Sequence, residues 1–207
     1  MKIAVIAAHG RSGQAFVREA LAAGHHVRAG IRGPSPFKSN NKLQTIECDA
    51  TNIEEVTRLI DRCDAVVSLI GHVKGSKSDV QTTATNTIVR AMQVAGIRRF
   101  VSLTGVGVWV PGDRFKSFID ISNWLAARVG VKRFDDGIEH ARVLRASPLD
   151  WTVLRVALLT DGQPGKFSLK TNGLVKIPTP RREVSRAILR VLERNEFVKE
   201  SPVITRR

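Results

Sequence analysis

Residues Lys2 to Arg32 constrain the fold more than any other part of this chain. Lys2-Ile3-Ala4-Val5-Ile6-Ala7-Ala8 is an apolar run of strand length that feeds the turn His9-Gly10-Arg11-Ser12-Gly13, and a helical run to Ala23 follows. Phe16 and Ala20 are four apart, as are Val17 and Leu21, so each pair shares one helix face. Gly24 then suits a left-handed stop. His26 to Arg32 is a second short strand. Strand, glycine turn, helix and strand in this order predict the first unit of a doubly wound, Rossmann-type α/β sheet with helices on both faces.

The turn suits phosphate. A helix start leaves several backbone N–H groups unpartnered, and its dipole favours negative charge. Glycines let the backbone approach a pyrophosphate and let helix and strand pack closely. The spacing here is Ala7-x-x-Gly10-x-x-Gly13, two glycines rather than three. Alone that is a weak signal; between strand and helix it is much stronger, and a dinucleotide is the expected ligand. A carboxylate about 20 residues further on would bind the ribose hydroxyls of NAD. No Asp or Glu lies between Glu19 and Glu47; Arg32 stands at the end of the second strand instead, with Lys38 and Lys42 beyond. A guanidinium there grips a 2′-phosphate through a charge-assisted contact, which favours NADP(H) over NAD(H).

The remaining totals exclude several classes. The chain of 207 residues fits one domain, with 106–150 and 157–182 expected to line a substrate cleft. No apolar run approaches the roughly 18 residues of a membrane span. Lys2 to Ala8 reads as a core strand rather than a signal peptide. Cys48 and Cys63 form no disulfide pattern, so reduced thiols and a cytoplasmic setting are expected. The net charge of +14 invites a nucleic-acid reading, but the charges are dispersed, aromatic residues are 5% and tyrosine is absent. Most of the charge reads as solvated surface with some pull on a polyanionic coenzyme. The histidines His9, His25, His26, His72 and His140 show no metal-ligand spacing with the cysteines, and His25-His26 reads as a surface turn.

Further along, strands and helices alternate. Leu43–Cys48, Ala65–Gly71, Phe100–Gly105 and Asp150–Val156 read as strands. Helices are expected from Asn52 to Arg62, Val80 to Val94, Phe118 to Val129, Ile138 to Ala146 and Glu183 to Leu192. Val108–Gly112 reads as a loop, Leu158–Gly165 as a loop leaving the sheet, Lys170–Pro180 as a short excursion, and Val203–Thr205 as an edge strand. Asp49 sits just past a strand end, where it would contact adenine or cap a helix.

Over almost its whole length the chain resembles the atypical short-chain dehydrogenase group that includes NmrA-like proteins, biliverdin reductase B and NADH–flavin reductases. The carriers are residues 7–13, Val27–Arg32, Asp64–Gly71, Arg99–Gly105 and Ser147–Arg155. The resemblance implies that Gly10, Arg11, Ser12 and Gly13 hold the pyrophosphate and Arg32 the 2′-phosphate. It places Asp49 and Ala50 near adenine, Leu69, Ile70 and Gly71 near ribose, and Ser102 and Thr104 at the nicotinamide end. Ala7 replaces the first glycine, Val156 replaces a frequent proline, and without tyrosine the family's Tyr-x-x-x-Lys pair is missing.

Hydride transfer asks the protein mainly to position the nicotinamide. A reduction also needs a proton. Thr104, Asp135, Asp136 and His140 are the candidates, with His140 on a helix that faces either the cleft or solvent. A flavin or quinone takes its proton from water. The leading expectation is therefore NADPH-dependent reduction of a small planar acceptor by a monomer or homodimer. The alternatives are a non-catalytic NADP(H) sensor of NmrA type and, less favoured, a sugar-nucleotide epimerase relative.

Overall fold

The computed structural model describes residues 1–108 and 135–206. In order its elements are β1 (Lys2–Ile6), α1 (Arg11–Ala22), β2 (His26–Ile31), β3 (Leu43–Glu47), α2 (Ile53–Ile60), β4 (Ala65–Ser68), α3 (Val80–Ala95) and β5 (Arg99–Gly105). There follow α4, a helix whose described residues are 135–146, then β6 (Asp150–Val156), β7 (Leu159–Thr160), β8 (Phe167–Lys170), β9 (Thr179–Pro180), α5 (Arg181–Glu193) and β10 (Val203–Arg206). The main sheet runs β3-β2-β1-β4-β5-β6-β10-β8. Its pairings are parallel as far as β10, and β8 closes it antiparallel.

Two cores explain the unbroken apolar strands. Along β1, Ile3 and Val5 face α1 and α5, whereas Ala4 and Ile6 face α2, α3 and α4. A strand buried on both faces has no polar side to show. Phe16, fully buried on α1, contributes about 2 to 3 kcal/mol relative to exposure. Gly24 (φ +87°) and Gly96 (φ +70°) end α1 and α3 in the left-handed region as expected. Gly30 has a different role, since a Cβ there would meet Leu59 Cδ2 at 2.5 Å. The missing side chain lets α2 lie close on β2. Arg28 then caps that helix, its Nε and Nη2 donating to the carbonyls of Leu59 and Arg58 at 2.8 and 2.6 Å.

Several expectations change. Val203–Arg206 is an inner strand, because Phe167–Lys170 adds outside it. Phe-Ser-Leu-Lys alternates over too few residues to stand out from the loop around it. β7, expected as loop, and β9, expected as the end of a short excursion, form a separate two-stranded pair. α5 starts at Arg181, after Pro180 sets an extended entry. His25 is buried, its Nε2 lying 2.9 Å from Glu193 Oε1 at the far end of α5. The helix expected over 118–129 lies outside the described residues, as does most of the loop at 108–112 and of the cleft lining at 106–150. No described helix is long and apolar enough to cross a membrane.

Candidate functional site

In a parallel sheet every strand ends on the same edge, so the loops after β1 to β5 gather there. The order reverses between β1 and β4, and a ligand crevice opens outside the strand ends at such a switch point. The loop after β1 is built tightly. Ala7, not a glycine, takes the left-handed conformation with φ +60°. Its carbonyl accepts from Gly10 N at 3.1 Å, which closes the turn. Gly10 is the helix N-cap with φ −64°, so neither glycine in the turn is there for positive φ. Gly13 is there for space: a Cβ would strike the Ala7 carbonyl and come within 2.6 Å of Ala8 Cα.

The mouth of α1 has no side-chain cap and no acid in its first turn. The first intrahelical bond comes from Gln14 N to Gly10 O at 2.8 Å. The amides of Arg11, Ser12 and Gly13 therefore have no hydrogen-bond partner among the described residues, the arrangement an anion needs. These residues fit a pyrophosphate. The family model described as NAD(P)H-binding matches residues 7–195.

The chain belongs to the NAD(P)H-binding family. Its fold matches the oxidoreductase ylbE from Lactococcus lactis, with TM-score 0.81, 16% identity, and coverage of 100% of this chain and 91% of that one. It also matches a short-chain dehydrogenase/reductase from Veillonella parvula in complex with NADP, with TM-score 0.78, 17% identity, and coverage of 98% and 93%. A 3-beta-hydroxysteroid dehydrogenase from Mycolicibacterium neoaurum is 28% identical over 155 residues, 69% of this chain and 41% of that protein. The chain thus spans about two fifths of that relative's length.

The other loops of this NAD(P)H-binding protein complete the edge. Arg32 follows β2, is 73% exposed in its side chain, and has Nη1 4.0 Å from Asp49 Oδ2. Asp49 follows β3; its Oδ1 accepts from Thr51 N and Thr51 Oγ1 at 2.9 and 2.8 Å. Helix capping falls to Asn52, which accepts from the amides of Glu54 and Glu55. Leu69 is buried after β4, Ile70 is half-buried, and Gly71 has open space where a Cβ would stand. Arg11 Nη1 lies 3.9 Å from Asp161 Oδ2, and Arg181 Nη1 donates to the other oxygen of Asp161 at 2.7 Å. The glycine turn thus meets the segment after β6, a link that sequence spacing does not show.

The expected catalytic groups lie under β5, and most are occupied. His140 does not face solvent; it is 1% exposed, packed between β5 and α3. Thr85 Oγ1 donates to Gln81 O at 2.7 Å, so it accepts from His140 Nδ1–H, also at 2.7 Å. His140 Nε2 is left as the acceptor for the Ser102 hydroxyl at 3.0 Å. The pattern fixes a neutral tautomer. Burial pushes His140 down to about 4, with Asp136 pulling the other way. Asp136 is occupied as well. It stands one turn before His140 and caps α3 from outside, accepting from Gln81 N and Thr82 N at 2.8 and 2.9 Å and from Thr82 Oγ1 at 2.6 Å. Its Oδ2 also lies 2.9 Å from His72 Nε2, without hydrogen-bond alignment. Asp135 is exposed. Thr104 Oγ1 is buried with no hydrogen-bond partner, beside Gly137, where a Cβ would come within 2.9 Å of it.

Two features of this edge were beyond sequence reasoning. Gln81 donates to the carbonyls of both Ile70 and Leu103, pinning the ends of β4 and β5 together. Glu183, fully buried in the first turn of α5, pairs with Lys176 Nζ at 2.6 Å and accepts from Gly165 N at 3.0 Å. That pair fastens the segment between β7 and β9. Among the described residues no group of acids, histidines and cysteines is arranged to hold a metal ion.

Proposed function

We propose that this chain is an NADPH-dependent reductase that passes hydride to a small planar acceptor such as a flavin or quinone. The observation carrying this reading is the absence of an uncommitted acid at the buried end of the cleft, among the described residues. His140 is neutral, and Asp136 is taken up by the α3 amides. An acceptor that draws its proton from water fits such a site better than a carbonyl needing a general acid. The bound coenzyme would supply the hydride. The chain's own part is to seat the pyrophosphate on the Arg11, Ser12 and Gly13 amides, to hold the 2′-phosphate with Arg32, and to orient the nicotinamide end at Ser102 and Thr104. Among the described residues there, Thr104 has the one hydroxyl without a partner, which makes it the candidate to touch substrate or the nicotinamide carboxamide.

The relatives' names support a redox role: one is an oxidoreductase and one a hydroxysteroid dehydrogenase. A non-catalytic NADP(H) sensor is the second reading, favoured by the missing tyrosine and the enclosed Thr104. Incubating the protein with NADPH and a panel of flavins, quinones and a ketosteroid separates them. Coenzyme oxidation above the protein-free rate with a flavin or quinone supports the reductase. Turnover of the ketosteroid alone reassigns the acceptor. Tight coenzyme binding with no acceptor reduced supports the sensor.

A further inference from the structure

The seat assigned to the 2′-phosphate holds a negative charge as well as a positive one. Asp49 is fixed in place: Oδ1 is saturated by the Thr51 amide and hydroxyl, and its own amide donates to Glu55 Oε2 at 2.6 Å. Only Oδ2 is free to turn outward, and it faces Arg32 Nη1 at 4.0 Å. Arg32 directly follows the last residue of β2, is largely in solvent, and has this ion pair as its one polar contact among the described residues. The two side chains stand on adjacent parallel strand ends, since β2 and β3 pair in register up to Ile31 and Glu47.

We propose that Asp49 is the counter-ion that limits how strongly Arg32 prefers a 2′-phosphate over a 2′-hydroxyl. This deepens the coenzyme reading above and rests on it. A phosphate carrying nearly two negative charges that arrives at Arg32 meets the Asp49 carboxylate at the same place. At separations of several ångströms in a solvent-exposed setting, one carboxylate charge offsets one guanidinium charge almost completely. The attraction that remains comes from geometry and hydrogen bonding rather than net charge. The Thr51 amide and hydroxyl, followed by the Arg32 and Lys77 cations, hold the Asp49 carboxyl below its ordinary range, so it is charged near neutrality. A ribose hydroxyl is uncharged, so that carboxylate does not repel it. Asp49 therefore lowers affinity for NADPH selectively and keeps NADH within reach, so that the site takes both coenzymes with a modest bias.

The test is the ratio of dissociation constants, NADH over NADPH, measured by calorimetry for the wild type, Asp49→Asn and Arg32→Ala. Asparagine keeps the acceptor for the Thr51 amide and removes the charge. The ratio is expected to rise about 5- to 10-fold in Asp49→Asn, an effect that shrinks as salt is added. In Arg32→Ala it is expected to fall toward one. If Asp49→Asn weakens both coenzymes equally or lowers the ratio, while Arg32→Ala still collapses it, the counter-ion role is overturned and Asp49 is an adenine contact alone. If Arg32→Ala leaves the ratio unchanged, the 2′-phosphate seat is wrong and the counter-ion role falls with it.

Discussion

Ser102 Oγ lies 3.0 Å from His140 Nε2, and the burial of that pair keeps the histidine neutral far below its ordinary titration range. The unfolded chain takes up a proton at this residue near 6.5, while the folded chain holds out to about 4. The unfolded state binds more protons in that window, so stability rises with pH across it. The contribution is complete above about 6.5 and is lost as pH falls toward 4, with a ceiling on the order of 3 kcal/mol. Urea unfolding at about pH 7 and about pH 5 should show a clear loss in the wild type and a smaller one in His140→Gln. Equal losses would mean that His140 is not the group responsible.

The strained turn gives a second expectation. Gly13→Ala puts a methyl against the Ala7 carbonyl and within 2.6 Å of Ala8 Cα. Both contacts are backbone, so α1 must shift, at a cost of about 1 to 3 kcal/mol, with coenzyme affinity lost alongside. Ala7→Gly acts in the opposite direction. It relieves a left-handed alanine and removes the methyl beside the phosphate seat. Its stability is expected to stay within about 1 kcal/mol of wild type while the coenzyme binds more tightly. Thermal melts and titration of both variants check this; weaker binding in Ala7→Gly would show that the methyl is part of the seat.

A buried charge pair gives a third. Lys176→Met strands the fully buried Glu183 carboxylate and is expected to cost about 3 to 5 kcal/mol. Lys176→Met with Glu183→Leu removes both charges and should recover most of that loss. Chemical denaturation of the single and double variants decides it. A double variant no better than the single one would mean that the pair contributes by packing rather than by charge.

Much of the architecture was legible because of how parallel sheets are built. Ile3 to Ile6 and Ala65 to Val67 are apolar without a break, as expected of strands covered on both faces. Gly24, Gly96 and Asn52 marked helix ends through local chemistry that needs no tertiary context. Phe167–Lys170 was not legible, since four residues carry too little periodicity, and its presence moved Val203–Arg206 from the edge to the interior. The glycine turn disclosed the uncapped helix mouth, but not that Ala7 would take the left-handed position. His140 and Asp136 were picked out by residue type alone. Their burial depends on Thr85, Gln81 and Thr82, more than fifty residues earlier, and no local pattern reports a partner at that distance.

The central expectation is that the amides of Arg11, Ser12 and Gly13, together with Arg32, hold a phosphorylated dinucleotide. Calorimetric titration of the wild-type chain with NADPH tests this most directly. One bound coenzyme per chain is expected, with micromolar affinity as the order of magnitude, weakened by added salt and sharply weakened by Gly13→Ala. No heat of binding from NADPH or NADH at roughly millimolar concentration, with a folded protein in the cell, would contradict it.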